Sequence, residues 1–181
     1  MNRISIPTVE QSHAAAQPLL AAVLKQLGVV PNLMKMVGNS PAALEGYLSL
    51  NGAMAKGTLD LQTRERLALA TAEYNGCEYC LAAHSYLGKN LAKLSDAEMM
   101  AARAARSSDA KADAALRFAH RVVAERGHVS GDDLAAVRAA GFDDAGVVEI
   151  VVNVALNVLT NYINNVAQTD VDFPAAEKLA A

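Results

Sequence analysis

Alanine is the residue type that most constrains how this chain can fold. Thirty-seven of its 181 residues are alanine, aromatic residues make up only 4%, and tryptophan is absent. Alanine favours helices and disfavours strands, and its small side chain allows helices to pack closely. No segment of four to eight residues alternates apolar and polar side chains with the β-branched enrichment typical of a strand. The sequence therefore predicts an all-α fold.

Capping residues, glycines and prolines divide the chain into nine predicted helices. Pro18 suits the first turn of a helix, Ser95 and Ser130 suit N-caps, and Ser95 with Glu98 forms a capping-box pattern. The predicted helices span about residues 18–27, 32–37, 41–55, 61–74, 77–91, 95–106, 109–126, 130–140 and 143–167. Because the chain shows no repeat, low-complexity tract or linker, we expect a single domain over residues 1–181.

The charge balance points away from nucleic acids and anionic membranes as partners. Sixteen Lys and Arg against 19 Asp and Glu give a formal net charge of −3, and the charges form no blocks. The first residues lack the apolar stretch of a secretory signal, so we expect a cytoplasmic protein. The most apolar segment, 147–167, is long enough to span a bilayer, but one glutamate and five asparagines interrupt it. It is therefore predicted to be a buried helix, with no membrane partner.

The chain's two cysteines lie in one Cys-x-x-Cys motif, which is followed by a histidine at helical spacing. Cys77 and Cys80 are three residues apart and Cys80 and His84 are four apart, so the three side chains share one stripe of a helix that starts near Gly76. A thiol reacts as its thiolate, which a helix N-terminus or a neighbouring imidazolium stabilises. A second thiol one turn away can then resolve a sulfenic acid or a mixed disulfide.

His84 suits the general base for this thiol chemistry. It could take the thiol proton and return it to a leaving oxygen, and a carboxylate could orient the imidazole. Two carboxylates qualify, those of Glu65 and Glu73. We favour Glu65, because Asn75-Gly76 breaks the helix that would place Glu73 one turn before the cysteines.

Two readings of the motif compete, and within the first the order of the cysteines is open. Cys77 lies at the helix start, where the helix dipole acts most strongly, whereas Cys80 lies closer to a full turn from the histidine. The competing reading makes both thiols zinc ligands together with His84 and either His120 or Glu65. A structural zinc site usually takes a second pair of Cys or His ligands, and its Cys-x-x-Cys usually lies on a turn. Both points favour thiol chemistry.

The motif resembles that of the AhpD-like alkylhydroperoxidase family, within the carboxymuconolactone decarboxylase-like superfamily. The family motif begins with a glutamate, which eleven residues separate from a Cys-x-x-Cys, and three further residues separate the second cysteine from a histidine. The matching residues here are Glu65, Cys77, Cys80 and His84. Segments 28–33 and 160–174 resemble its peroxidase-related branch, so the similarity covers about residues 18–174. The resemblance implies an all-α fold built on a helical pair that carries the motif, and assembly into homo-oligomers.

The resemblance also implies a role for each matched residue. Cys80 would be the peroxidatic thiol, Cys77 the resolving thiol, and Glu65 with His84 the proton relay. Tyr79 stands between the cysteines, where AhpD has a histidine. Its phenol, with an ordinary pKa of about 10, can donate a hydrogen bond but cannot shuttle protons at neutral pH. The expected relay is therefore shorter than that of AhpD.

The sequence thus predicts a thiol-dependent peroxidase that needs no metal or organic cofactor. Its partners would be a peroxide substrate and an external dithiol or thioredoxin-like reductant, and it would form a dimer, trimer or hexamer. One alternative is an enzyme of the carboxymuconolactone decarboxylase type, whose activity does not rely on a Cys-x-x-Cys. The other is a non-enzymatic module that senses redox state or binds zinc.

A polar stripe follows the last predicted helix. Its members recur every four residues and therefore stay nearly on one side of the helix: Glu149, Asn153, Asn157, Asn161 and Asn165. The stripe is either a solvated face or the wall of a site or subunit interface, in which amides bridge helices.

Overall fold

The computed structural model describes residues 2–177, which form nine α-helices and no β-strand. The helices are α1 (Gln17–Leu27), α2 (Asn32–Val37), α3 (Pro41–Met54), α4 (Leu61–Tyr74), α5 (Glu78–Asn90), α6 (Asp96–Arg103), α7 (Ala110–Ala124), α8 (Gly131–Ala139) and α9 (Asp144–Ala167). The predicted all-α fold is confirmed, and most helix bounds lie within one or two residues of the predicted ones.

Side-chain oxygens cap the start of six of these helices. Each cap accepts a hydrogen bond from the amide three residues further on, and the caps are Ser40, Asp60, Ser95, Asp109, Ser130 and Asp143. A cap satisfies an amide that has no partner inside the helix. The predicted capping box at Ser95 is wrong in its second half, because the Glu98 side chain binds Arg66, Ser107 and Ser108 instead.

Two helices end earlier than predicted. α6 stops at Arg103 instead of near Arg106, and α7 stops at Ala124. After α6, Ala105 adopts a left-handed conformation with φ of 55°. The amide of Arg106 then bonds back to the carbonyl of Ala101, which closes the helix with a Schellman-type turn. The apolar pattern continues past this point and does not reveal the turn.

α4 is the central helix of the fold. It packs against α5, α6, α7 and α9, and α9 in turn contacts α3, α5 and α7. Leu67 and Leu69 of α4, Leu116 of α7 and Ile150 of α9 are fully buried in the core. Burying one such side chain stabilises the fold by about 1.5–3 kcal/mol. The prediction that the helical pair bearing the motif packs against the last helix is confirmed.

α9 has an unusual distribution of polar and apolar residues. It is the one helix in residues 2–177 that is long and apolar enough to cross a membrane, judged by length and composition only. In the fold, 44% of its most apolar window is buried. Asn153, Asn157, Asn161 and Asn164 lie on the buried side together with aliphatic residues such as Ile150. The predicted buried helix is therefore a core helix with a polar inner face.

The buried asparagines decide between the two readings of the stripe on α9. Asn161 reaches across to α4's C-cap, where its Oδ1 accepts a hydrogen bond from Asn75 at 2.9 Å. Glu149 accepts hydrogen bonds from the amides of Thr58 and Leu59 and so holds the loop before α4. A solvated face is therefore wrong for most of the stripe. The alternative, in which amides bridge helices, is correct at Asn161.

Candidate active site

A tight turn between α4 and α5 places Cys77 at the N-cap of α5. Gly76 has φ of 60°, which glycine adopts without strain, and the amide of Cys77 bonds to the carbonyl of Ala72 at 2.9 Å. The Cys77 sulfur accepts a hydrogen bond from the amide of Cys80 at 3.3 Å, as a serine oxygen does at other N-caps. α5 therefore begins at Glu78, one residue later than predicted.

The two thiols are buried and in contact. Cys77 is 0% and Cys80 2% exposed, and their Sγ atoms are 2.6 Å apart, with the Cys77 thiol donating to Cys80. A disulfide bond measures about 2.05 Å, so a small movement would close it. From α9, the side-chain amide of Asn164 donates to Cys80 Sγ at 3.3 Å.

His84 and Glu65 form a hydrogen-bonded pair next to the thiols. Nδ1 of His84 and Oε2 of Glu65 are 2.8 Å apart, which links α5 to α4. Burial alone would lower the pKa of His84, but the charge and hydrogen bond of Glu65 and the charge of the Cys80 thiolate outweigh it and raise the pKa. The imidazole therefore favours its protonated form and can supply a proton to a leaving oxygen.

The two cysteines have pKa values shifted in opposite directions. The hydrogen bond from Cys77 lowers the pKa of Cys80 most, and the charge of His84 and the amides of Asn161 and Asn164 lower it further, against the effect of burial. The hydrogen bond with Cys80 and burial raise the pKa of Cys77. These directions favour a thiolate at Cys80 and a protonated thiol at Cys77.

The hydroxyl of Tyr79 is directed away from the thiols. It donates to Oδ1 of Asp172 at 2.8 Å and accepts from the amide of Leu33 at 3.1 Å, and its ring meets Phe173 edge to face at 5.8 Å. Burial, followed by its contact with Asp172, raises the pKa of Tyr79. Tyr79 ties α5 to the start of α2 and to the segment after α9, and its hydroxyl hydrogen-bonds to neither the thiols nor His84.

Glu73 and His120, the other residues weighed from the sequence, contact different groups. Glu73 pairs with Nε of Arg103 at 2.7 Å, and the His120 ring meets Tyr74 edge to face at 5.4 Å. Glu65 is therefore the carboxylate that contacts the histidine of the motif. Within residues 2–177, no three His, Cys, Asp or Glu side chains are grouped so that they could hold a metal ion.

Asn161 and Asn164 complete the surroundings of Cys80 from α9. Asn161 is 0% exposed and favours the Cys80 thiolate, although its Nδ2 atom makes no full hydrogen bond within the described chain. The repeat of asparagines at four-residue intervals indicated a wall of this kind and included Asn161. It did not include Asn164, which makes the direct contact.

Tyr47 of α3 is the other residue that sequence reasoning missed. Burial, then the charges of Cys80 and Glu65, raise the pKa of Tyr47 to about 12. A neutral phenol therefore lies close to the thiolate. No sequence signal marks it, because α3 reaches the site only through the tertiary fold.

The motif-bearing segment is similar in sequence to known proteins. The sequence model of the carboxymuconolactone decarboxylase family matches residues 41–125, from α3 through α7. A curated but uncharacterised protein of Haemophilus influenzae is 46% identical over 46 residues, which are 25% of this chain. That match spans 41% of the relative's length. The family model thus matches just under half of the chain, including the whole motif from Glu65 to His84.

Solved structures share the fold over most of the chain. One is a peroxidase-related protein with an alkylhydroperoxidase AhpD core from Ralstonia eutropha JMP134, with a TM-score of 0.85, 22% identity, and coverage of 94% of this chain and 92% of that one. Another is a cysteine-to-alanine variant of the debrominase Bmp8 in complex with 2,3,4-tribromopyrrole, with a TM-score of 0.74, 18% identity, and coverage of 88% and 86%. The chain therefore has the AhpD-like fold, and the fold that the motif's resemblance implied is confirmed.

Replacing Asn164 with leucine should raise the pKa of Cys80, because the thiolate loses a donor while the side chain keeps its bulk. A lost hydrogen bond to a charged group corresponds to about 1.5–3 kcal/mol, or a roughly tenfold or larger fall in acidity. In a Cys77→Ser background only one thiol titrates, and its pKa is read from the ultraviolet absorbance of the thiolate. The control is Asn157→Leu, because Asn157 is equally buried but donates only to the backbone of α9. An equal shift in both variants would contradict a specific role for Asn164.

Proposed function

We propose that this chain is a thiol-dependent peroxidase of the AhpD-like type. The set of contacts around Cys80 carries the proposal: a second thiol at 2.6 Å, an amide at 3.3 Å, and a neighbouring His84–Glu65 pair joined at 2.8 Å. These groups supply a thiolate, a resolving thiol and a proton donor in one buried site. The family match and the shared fold of a peroxidase-related protein support the proposal.

In the proposed cycle, the Cys80 thiolate attacks the terminal oxygen of a hydroperoxide. The S–O bond forms as the O–O bond breaks, Cys80 becomes a sulfenic acid, and the leaving alkoxide or hydroxide takes the proton held by His84. Cys77 then attacks the sulfenic sulfur, which releases water and forms the Cys77–Cys80 disulfide. Glu65 keeps the imidazole oriented and, by raising its pKa, favours its protonated form before the attack.

The disulfide must be reduced by two electrons before the next turnover. We assign this step to an external dithiol or thioredoxin-like protein, since residues 2–177 contain no further cysteine. The cycle uses no metal or organic cofactor. We also propose a cytoplasmic location, where a reducing environment keeps thiols available.

A decarboxylase is the second candidate function, because the family model that matches residues 41–125 carries that name. Decarboxylation does not require two thiols, whereas the peroxidase cycle consumes both for each peroxide reduced. A titration of free thiols with peroxide therefore separates the two candidates.

Single cysteine variants should divide the cycle into its two steps. Cys80→Ser should abolish peroxide consumption, because the nucleophile is lost. Cys77→Ser should allow one stoichiometric turnover and trap a sulfenic acid on Cys80, because attack is intact and resolution is lost. Mass spectrometry of each variant after one equivalent of peroxide checks both outcomes.

Three results would speak against this assignment. A sulfenic acid on Cys77 in the Cys80→Ser variant, with none on Cys80 in the Cys77→Ser variant, would reverse the two roles. Full activity in both variants would exclude the thiol mechanism. Two free thiols in wild-type protein after peroxide treatment would favour the decarboxylase.

Glu65→Gln should slow the peroxide reaction and move the upper limit of its pH–rate profile to lower pH. Glu65 raises the pKa of His84, so without its charge the imidazole loses its proton earlier as the pH rises. His84→Ala should slow the reaction by on the order of 10²-fold. Glu73→Gln is the matched control, since Glu73 is also an ion-paired carboxylate on α4 but contacts Arg103. A similar shift of the pH–rate profile in Glu73→Gln would mean that the loss of any negative charge on α4 has this effect, and that Glu65 has no specific role.

We further propose that the protein is a homo-oligomer that pairs through α9. A stripe of large apolar residues runs along the exposed side of α9 and comprises Val148, Val151, Tyr162 and Val166, whose spacings of three, eleven and four residues keep them on one side of the helix. The stripe contains no charge, so it is complementary to a second copy of itself across a two-fold axis.

Charges introduced into this stripe should dissociate the oligomer. Sedimentation velocity at micromolar concentration should show wild-type protein above the monomer mass and the double variant Val151→Glu/Tyr162→Glu at the monomer mass. Leu91→Glu serves as control, because Leu91 is also exposed but lies at the end of α5. A monomeric wild-type protein would refute the proposal.

A further inference from the structure

An apolar groove of about 200 Å³ lies between α2, α3 and α9. Its walls include Leu33 and Val37 of α2, Gly46 and Tyr47 of α3, and Leu159 and Ile163 of α9, and no charged side chain lines it. Engineered apolar cavities of about 150 Å³ bind benzene. The groove is therefore large enough for an aromatic ring with small alkyl substituents, and too small for a protein helix about 10 Å across.

Two elements connect the groove with the thiols. On α9, Thr160 and Ile163 line the groove. The residues that follow them, Asn161 and Asn164, lower the pKa of Cys80. Successive residues of a helix point about 100° apart, so the groove and the thiolate lie on adjoining sides of the same two turns.

Tyr47 is the second connection. Its ring lines the groove, while its hydroxyl is close enough to Cys80 and Glu65 for both charges to act on it. Burial keeps the phenol neutral, so its O–H is a hydrogen-bond donor. An apolar pocket with a few polar groups, here the hydroxyls of Tyr47 and Thr160, is typical of a site for a small organic substrate.

We propose that the groove binds the organic group of a hydroperoxide and that Tyr47 donates a hydrogen bond to the oxygen attached to that group. This inference rests on the proposed peroxidase function. With the organic group in the groove, the terminal oxygen faces Cys80 and the inner oxygen faces Tyr47. Attack forms the S–O bond and breaks the O–O bond, the electron pair goes to the inner oxygen, and the alkoxide takes its proton from His84. Hydrogen peroxide carries no organic group, so the groove should not affect its reaction.

A leucine at position 46 tests the groove. The Cβ that a side chain would add at Gly46 meets no atom within 4 Å, and its backbone is helical, so the fold accommodates the change. The matched control is Gly52→Leu, because Gly52 has the same open surroundings on α3 but does not line the groove. The measurement is the rate constant of thiol oxidation by cumene hydroperoxide, divided by that for hydrogen peroxide. Gly46→Leu should lower this ratio about tenfold or more, and Gly52→Leu should leave both rate constants unchanged.

Tyr47→Phe tests the hydrogen bond separately. The variant keeps the ring in the groove but loses the donor, so cumene hydroperoxide should react more slowly relative to iodoacetamide. Alkylation by iodoacetamide reports the thiolate alone, since no peroxide oxygen leaves. An unchanged ratio of the rate constants for the two reagents would show that Tyr47 takes no part in the peroxide reaction.

The outcomes distinguish this inference from the function on which it rests. Wild-type protein that reacts with neither peroxide would refute the peroxidase, and the groove proposal with it. Reaction with both peroxides, combined with an unchanged ratio in Gly46→Leu, would overturn the groove alone. Altered sedimentation of Gly46→Leu with an unchanged ratio would assign the groove to contact with a second copy of the chain.

Discussion

The central packing of α4 determines where each part of the proposed active site lies. α4 contacts α5, α6, α7 and α9, so Glu65 on its inner side is held against His84 of α5. The last turn of α4 also fixes the start of α5, because the carbonyl of Ala72 accepts the amide of Cys77. The reacting groups are therefore held by two packed helices and one tight turn, an arrangement more precise than a site built on long loops.

Burying a carboxylate, an imidazolium and a thiolate costs free energy unless each charge has a partner. Here the charges alternate in sign from Glu65 through His84 to Cys80: Glu65 and the Cys80 thiolate raise the pKa of His84, and His84 lowers the pKa of Cys80. The thiolate also needs hydrogen bonds where water is excluded. Asn164 donates one there, and Asn161 also lowers the pKa of Cys80, which accounts for these two asparagines on the inner side of a largely aliphatic helix.

Much of the fold could be predicted because caps, helical periodicity and motif spacing act over three or four residues. The choice of Glu65 over Glu73 as the partner of His84 also followed from a local feature, the break between α4 and α5. Long-range contacts left no such signal. Tyr79 binds a carboxylate 93 residues away, and Asn164 reaches Cys80 across 84 residues, so neither contact could be derived from spacing along the chain.

The thiol pair shows how a helix start can hold two cysteines in different states. The dipole of α5 and the amide of Cys80, which donates to the Cys77 sulfur, would favour a thiolate at Cys77, yet the Cys77 thiol donates its proton to Cys80. His84 and Asn164 also lower the pKa of Cys80, so the negative charge is favoured on Cys80. That charge is one reason why the pKa of Cys77 is raised. When Cys80 becomes a neutral sulfenic acid in the proposed cycle, this effect disappears, and Cys77 becomes easier to deprotonate at the step in which it must attack.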